Sequence, residues 1–292
     1  MNALVLINKP EGYRSTTCVA IARKNLGGLK VGHAGTLDST ARGLLVLMTG
    51  NATRLCEYVM SLPKVYRTVI QFGAETDTYD YSGEIIAEHD RDNLNMKLIR
   101  DALYEFSGLR LQSPPAVSAV KIDGTPAYKL ARSGKDIDMK SRPVFFRRID
   151  IVSPLDDDGT LTLDVFCGRG TYIRSLAHDL GKITGCGAYV KSLERVSIGN
   201  FTLEHANSPE QEEYDITTLH ELAMNFTRIY VSEKDARSFT NGMSILLRQA
   251  VRTSRGVCPM KDIVCVEGDN FLGFGTYAGY DYVKPLVIVP KS

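Results

Sequence analysis

The stretch GHAGTLDSTARGLLVLMTG, residues 32–50, places one acid, Asp38, between a glycine-containing loop and the apolar run Leu44-Leu45-Val46-Leu47-Met48. Five consecutive apolar residues bounded by turn formers read as a strand buried on both faces. An acid that serves solubility belongs on a wet helix face or in a long polar loop. This one stands in a short turn beside a core strand. An aspartate after glycine is by itself a turn former, so its placement raises the question of chemistry without answering it.

Outward from that strand, residues 3–7 (ALVLI) read as a second buried strand. A helix is predicted from about Thr16, with Ser15 as N-cap, an apolar face of Cys18, Ile21, Ala22 and Leu26, and Gly27-Gly28 as its stop. A short helix is expected near 52–60. In residues 65–72 the alternation puts Tyr66, Thr68, Ile70 and Phe72 on one side of a strand. Residues 93–107 place Leu94, Leu98, Ile99, Ala102, Leu103 and Phe106 on one helical face, ending at Gly108. Leu161, Leu163, Val165 and Cys167 alternate in a strand at 160–167, and GRGT leads into a helix with Ile173, Leu176, Ala177 and Leu180 on its buried stripe. Arg174 points away from that stripe. Strands and helices mix without a regular βαβ alternation, which predicts an α+β fold on a mixed sheet.

From Glu204 to Glu221 there are six acids and no Lys or Arg, a composition shift that suggests a boundary. Beyond it, residues 262–289 are short β-runs separated by glycine turns, the pattern of a small barrel or sandwich. The expected division is therefore 1–222 and 223–292, with the second part removable from a core that still folds.

Of the 292 residues, 43% are hydrophobic and 24% charged, enough apolar content for a real core. The longest apolar runs span five or six residues, against the ~20 needed to cross a bilayer. MNALVLINKP reads as a strand rather than an export signal, so a cytoplasmic protein is expected. Six cysteines without a C-x-x-C pair, and five histidines without H-x-x-x-H or H-E-x-x-H spacing, point to free thiols and no zinc or other metal site. Net charge is +1, but between Lys121 and Arg148 eight Lys or Arg stand against three acids. With Tyr128, Phe145 and Phe146 interleaved, that stretch suits a phosphate backbone and its bases, Arg142, Arg147 and Arg148 being candidate contacts. Charge alone fits a solvated hairpin equally well.

Four separated pieces attract attention: Lys9-Pro10, the loop around Asp38, KVYR with Tyr66, and GTYIR with Arg174. Singly each has a plain structural reading. In order, INKPEGYRS, VGHAGTLD followed by ARGLL, KVYRTVIQFGAETDTYDYSG, SPPAVSAVKIDGTPAYKLAR, CGRGTYIRSLAHDLG and GAYVKSLERVSIGNF resemble the tRNA pseudouridine-55 synthases of the TruB type, over nearly the whole chain. The resemblance implies a pseudouridine synthase catalytic domain with a C-terminal PUA-like RNA-binding module.

It also implies chemistry that accounts for Asp38. Making pseudouridine breaks the N1–C1′ bond of a uridine, turns the uracil in place and joins C5 to C1′. That needs neither redox change nor hydrolysis, so no cofactor is expected. It needs an ionised carboxylate beside the ribose, as nucleophile or base, away from water. By the family pattern Asp38 is that carboxylate, Arg174 its cationic partner, and Tyr66 the ring that stacks on uracil and helps remove the C5 proton. Leu193 closes the pocket, Tyr172 contacts the target nucleotide, and His33 fills the space left by the flipped base. The implied substrate is uridine 55 in the T-loop of tRNA, bound by a monomer needing no protein partner and no membrane.

Two departures from the family pattern stand out: Ser39 replaces a common proline, with Arg42 close by, and Val117 stands where an aromatic is common. Three other readings compete. A non-catalytic RNA-binding protein would not require a carboxylate in the path of an anionic partner. A glycoside hydrolase using Asp38 with Asp77 or Asp80 would need a fixed carboxyl separation that the sequence does not supply. A guide-RNA-dependent member of the family would carry extensions for accessory proteins, and none is evident.

Overall fold

The computed structural model describes residues 1–118, 120–122, 124–127, 130, 139–250, 252–254, 262–279 and 281–290. Two compact units emerge: Met1–Pro63 with Ser197–Ser292, and Lys64–Val196.

In the first unit the strand Ala41–Thr49 lies antiparallel to Leu4–Lys9, Leu4 facing Met48 and Lys9 facing Gly43. Leu44 through Met48 are all essentially inaccessible to solvent. Their alternation divides them. Leu44, Val46 and Met48 enter one core, whereas Leu45 and Leu47 meet Val5, Ile7, Cys18 and Ala22 in another. The short strand Val31–Ala34 flanks Ala41–Thr49, and Ile216–Thr217 pairs with the other edge of Leu4–Lys9.

The expected seam at residue 222 runs through a hydrophobic core. Leu222, Phe226, Cys265, Phe274 and Val287 pack in one cluster with Leu4, Leu44, Leu55 and Val59. Tyr58, from the helix Cys56–Ser61, stacks on Phe274 at 4.1 Å between ring centroids. The acidic stretch is also tied down: the Asn207 N–H donates to Leu6 O at 2.8 Å, and the Asn8 N–H to Asn207 O at 2.9 Å. Acidity marks its solvent side, not a linker. The C-terminal β-runs form a six-stranded sheet in the order Ile245–Leu246, Tyr282–Ile288, Phe271–Ala278, Ile263–Glu267, Thr227–Tyr230, Arg252–Ser254. Thr227–Tyr230 and Ile263–Glu267 run parallel, which makes that sheet mixed.

The second unit arranges its strands in the order Ala188–Ile198, Lys64–Phe72, Thr160–Cys167, Arg142–Ser153, Gly108–Gln112. The predicted alternations hold: Thr68, Ile70 and Phe72 are buried, as are Leu161, Leu163, Val165 and Cys167. The helices Met96–Glu105 and Ile173–Thr184 supply Ile99, Ala102, Leu103, Leu176, Ala177 and Leu180 to the same core. The first starts later than its periodicity suggests because the Asn95 side chain accepts from Lys97 N and Leu98 N and so caps it.

Cys18, Cys167, Cys186 and Cys265 are buried free thiols and Cys56 is half-buried. Cys258 lies outside the described residues. Burial pushes the Cys167 thiol up to about 12, an inert core group. Among the described residues no helix is long and apolar enough to cross a membrane.

Candidate active site

Asp38 is an exposed loop residue three positions before the strand Ala41–Thr49. Its backbone is nevertheless fixed from both sides. Ser15 Oγ accepts from Leu37 N at 3.0 Å and bonds Leu37 O at 3.1 Å. Ser15 therefore does not cap its helix. The helix Ser15–Asn25 begins after Arg14 with no side-chain cap, because the serine hydroxyl is engaged twenty-two residues away. On the other flank the Gly12 N–H donates to Ser39 O at 2.8 Å, and the Ala41 N–H to Asp38 O at 3.1 Å.

The turn that presents Gly12 is shaped by Lys9. This lysine is fully buried, and its Nζ donates to Pro10 O at 3.0 Å and Tyr13 O at 2.7 Å. Gly12 itself has φ +85°, which disfavours a side chain there. The loop thus has anchors that do not depend on proline at position 39. His33 sits on Val31–Ala34 opposite Leu47, half-buried, with its carbonyl 3.5 Å from Cys56 Sγ. Arg42 is exposed.

The remaining candidates belong to the second unit. Tyr66 is half-buried on Lys64–Phe72 opposite Val165, and Leu193, on Ala188–Ile198, packs against the same core. Tyr172 precedes the helix Ile173–Thr184. Its N–H donates to Gln112 Oε1 at 2.9 Å and its carbonyl accepts from Gln112 Nε2 at 3.0 Å, so one amide holds both backbone groups.

Arg174 is not the surface ion-pair former that a helical arginine usually is. It is 4% exposed. Nη1 donates to Thr78 O and Nη2 to Val117 O, both at 3.0 Å, and Nε lies 3.7 Å from Asp80 Oδ2. Val117 contributes its carbonyl, a contact that does not depend on which side chain stands there. Asp80 was the unrecognised member of this group. It is 4% exposed, and its Oδ1 accepts from Thr78 Oγ1 at 2.9 Å, Ser82 N at 3.0 Å and Ser82 Oγ at 2.6 Å. Asp77 accepts from Glu84 N at 2.9 Å. Both acids of the hydrolase alternative are therefore occupied in holding the 76–84 loop.

The basic stretch reads unevenly. Lys129, Arg132, Lys135 and Tyr128 lie outside the described residues. Arg142 and Arg147 are exposed on Arg142–Ser153. Arg148 is exposed too, but it pairs with Asp150 at 2.8 Å and lies over the Phe166 ring at 4.1 Å.

The first unit thus carries a carboxylate on a braced loop, and the second a buried guanidinium aligned by two carbonyls beside an acid. Comparison with known proteins specifies the family. Residues 23–173 match the model of the TruB family pseudouridylate synthase N-terminal domain, and residues 174–253 that of the tRNA pseudouridylate synthase B C-terminal domain. The chain belongs to the TruB family of pseudouridylate synthases.

It is 38% identical to tRNA pseudouridine synthase B of Geobacter sulfurreducens over 284 residues, covering 96% of this chain and 88% of the relative. Its identity to the Arthrobacter sp. protein of the same name is 39% over 299 residues, covering 100% and 98%. A solved structure of a Cbf5-Nop10-Gar1 complex aligns with a TM-score of 0.74 at 19% identity, over 98% of this chain and 84% of that one. At that identity the likeness concerns the fold alone, and the α+β class expected from the sequence is the class it has. TruB-family enzymes are isomerases, so this chain is one.

Proposed function

We propose that this TruB-family chain converts uridine to pseudouridine in the T-loop of tRNA, at position 55, without a cofactor and with the target base flipped out of its loop. The observation that carries the proposal is the doubly braced turn of Asp38: Ser15 holds the residue before it, Gly12 the residue after it. A loop acid that served only as a turn former would not need both neighbours fixed. The residue is exposed, on the side from which a ribose would approach.

In this reading Asp38 acts on C1′ or on a sugar proton, and Arg174 supplies the positive charge that keeps a carboxylate ionised once water is excluded. Tyr66 stacks on uracil and assists loss of the C5 proton. Tyr172 contacts the target nucleotide, Leu193 closes over it, and His33 takes the place of the extruded base. Arg142 and Arg147, with Arg148 to a lesser degree, contact phosphates. Functionally the chain divides at residue 222, with 223–292 a PUA-like grip on RNA, and it works as a cytoplasmic monomer without a protein partner.

The test is incubation with an unmodified T-arm stem-loop, with no metal or nucleotide added, followed by nucleoside chromatography. Pseudouridine should appear, and should vanish when cytidine replaces uridine 55. Conversion elsewhere in the RNA, or none, would overturn the assignment of position.

A further inference from the structure

One face of the helix Ile173–Thr184 grips three consecutive residues of a single loop. Arg174 takes the Thr78 carbonyl and lies beside the Asp80 carboxylate. His178, one turn on, takes the residue between them. Its ring stacks on that of Tyr79 at 3.9 Å between centroids, with the planes 10° from parallel. Residues four apart on a helix share a face, so the two grips act from one side.

Tyr79 is held in a conformation that it does not favour. Its φ is +62°, and among the described residues no other non-glycine has a positive φ. A bulky residue in the left-handed region persists only where its surroundings impose it. The backbone supplies part of this: the Tyr79 N–H donates to Thr76 O at 3.2 Å and its carbonyl accepts from Val190 N at 3.0 Å. The ring stack with His178 holds the side chain as well. Behind His178 lies Glu75, whose Oε2 is 3.6 Å from Nδ1, too far for a hydrogen bond, and whose Oε1 is 3.0 Å from His89 Nε2. The reversal of direction at Tyr79 turns the Thr78 carbonyl and the Asp80 side chain toward the same guanidinium.

We propose that Tyr79 and His178 are positioning residues of the reaction: their stack locks the 78–80 turn in the shape that aims Arg174. This rests on the reading of Arg174 as part of the catalytic charge arrangement. A looser stack would leave Arg174 charged and buried but free to sample other carbonyls, and catalysis is sensitive to such small displacements. Binding of RNA elsewhere on the protein would be untouched.

The experiment is single-turnover pseudouridine formation and equilibrium binding on the T-arm stem-loop, with thermal melts of each variant. His178→Ala should slow the chemical step about tenfold, a barrier change of ~1.4 kcal/mol, with RNA affinity and the folded state at assay temperature unchanged. His178→Phe, which keeps a flat ring, should restore the rate. Tyr79→Gly relieves the backbone while deleting the ring, and should reproduce the His178→Ala loss even where that variant folds poorly. In an Arg174→Lys background His178→Ala should cost nothing more, because the two changes act through one group. A wild-type rate in Tyr79→Gly, a loss that phenylalanine does not restore, or losses that simply add to that of Arg174→Lys would overturn the proposal. Arg174→Lys retaining the wild-type rate would instead remove the reading of Arg174 itself.

Discussion

The Asp38 turn and the Arg174 helix position their charges in opposite ways. Asp38 is exposed and its brace acts on the backbone of its neighbours, through Ser15 and Gly12. Arg174 is buried and is held through its own side chain, by Thr78, Val117 and Asp80. Their foundations differ as well. The core under the Asp38 strand draws on both ends of the chain, from Leu4 to Val289, whereas the core under Arg174 lies wholly within residues 64–196. A carboxylate that must meet substrate can be positioned through the backbone on either side of it. A guanidinium that tunes charge can be fully enclosed, since its hydrogen bonds replace the lost water.

The largest expected effect follows from the foundations. Deleting residues 223–292 removes Phe226, Phe274 and Val287 from around Leu4, Leu44 and Val59. Losing one large core side chain costs about 3–5 kcal/mol, and a whole domain has only about 5–15 kcal/mol to spare. The truncated protein should be insoluble or molten by near-UV circular dichroism. A soluble truncation with a cooperative melt would restore the view of the C-terminal module as an appendage.

Next comes the side-chain brace. Asp80→Asn keeps the shape and removes the charge beside Arg174. It should reduce single-turnover rate by about ten- to a hundredfold, ~1.4–2.8 kcal/mol in the barrier, and leave RNA affinity in place. An equal fall in affinity would mean that Asp80 supports RNA binding rather than the chemical step.

Ser15→Ala probes the backbone brace. It leaves the N–H and carbonyl of Leu37 without their hydroxyl partner, a cost of about 1–3 kcal/mol where such groups are buried. The melting temperature should drop by a few degrees and the rate by up to about tenfold, with Ser15→Thr recovering part of both. A wild-type rate in Ser15→Ala would show that the Asp38 turn needs no anchor on that side.

The smallest effect concerns charges remote from both. Each phosphate contact contributes up to about 0.9 to the log–log salt slope of RNA binding. Arg142→Ala and Arg147→Ala should each flatten the slope by up to that amount, and Arg148→Ala by less, because its charge is shared with Asp150. Three slopes unchanged from wild type would place all three arginines in solvent.

Much of this was legible in the residues. Period-two alternation found the strands at 65–72 and 160–167, and the uninterrupted run at 44–48 found a strand buried on both faces, because burial pattern is a local property of a strand. What escaped were contacts between distant segments. Ser15 has the composition of an N-cap, but its hydroxyl bonds Leu37. Arg174 does point away from its helix's apolar stripe, yet a loop ninety-six residues earlier in the chain covers it. Asp80 carried a signal in the crowded polar string ETDTYDYSG, where short acids and hydroxyls are spaced to satisfy one another. The acidic stretch reports solvent exposure and says nothing of Leu222 and Phe226 just beyond it, which are core residues.

The most direct test of the account is Asp38→Asn, assayed for single-turnover pseudouridine formation and for binding to the same T-arm stem-loop. The substitution keeps the braced backbone and the side-chain size, removes the charge and replaces one acceptor oxygen by an amide donor. Turnover should fall below detection while affinity is unchanged or slightly tighter, since an anion near the sugar-phosphate has gone. Turnover within about tenfold of wild type, ~1.4 kcal/mol in the barrier, would contradict it and take Asp38 out of the mechanism.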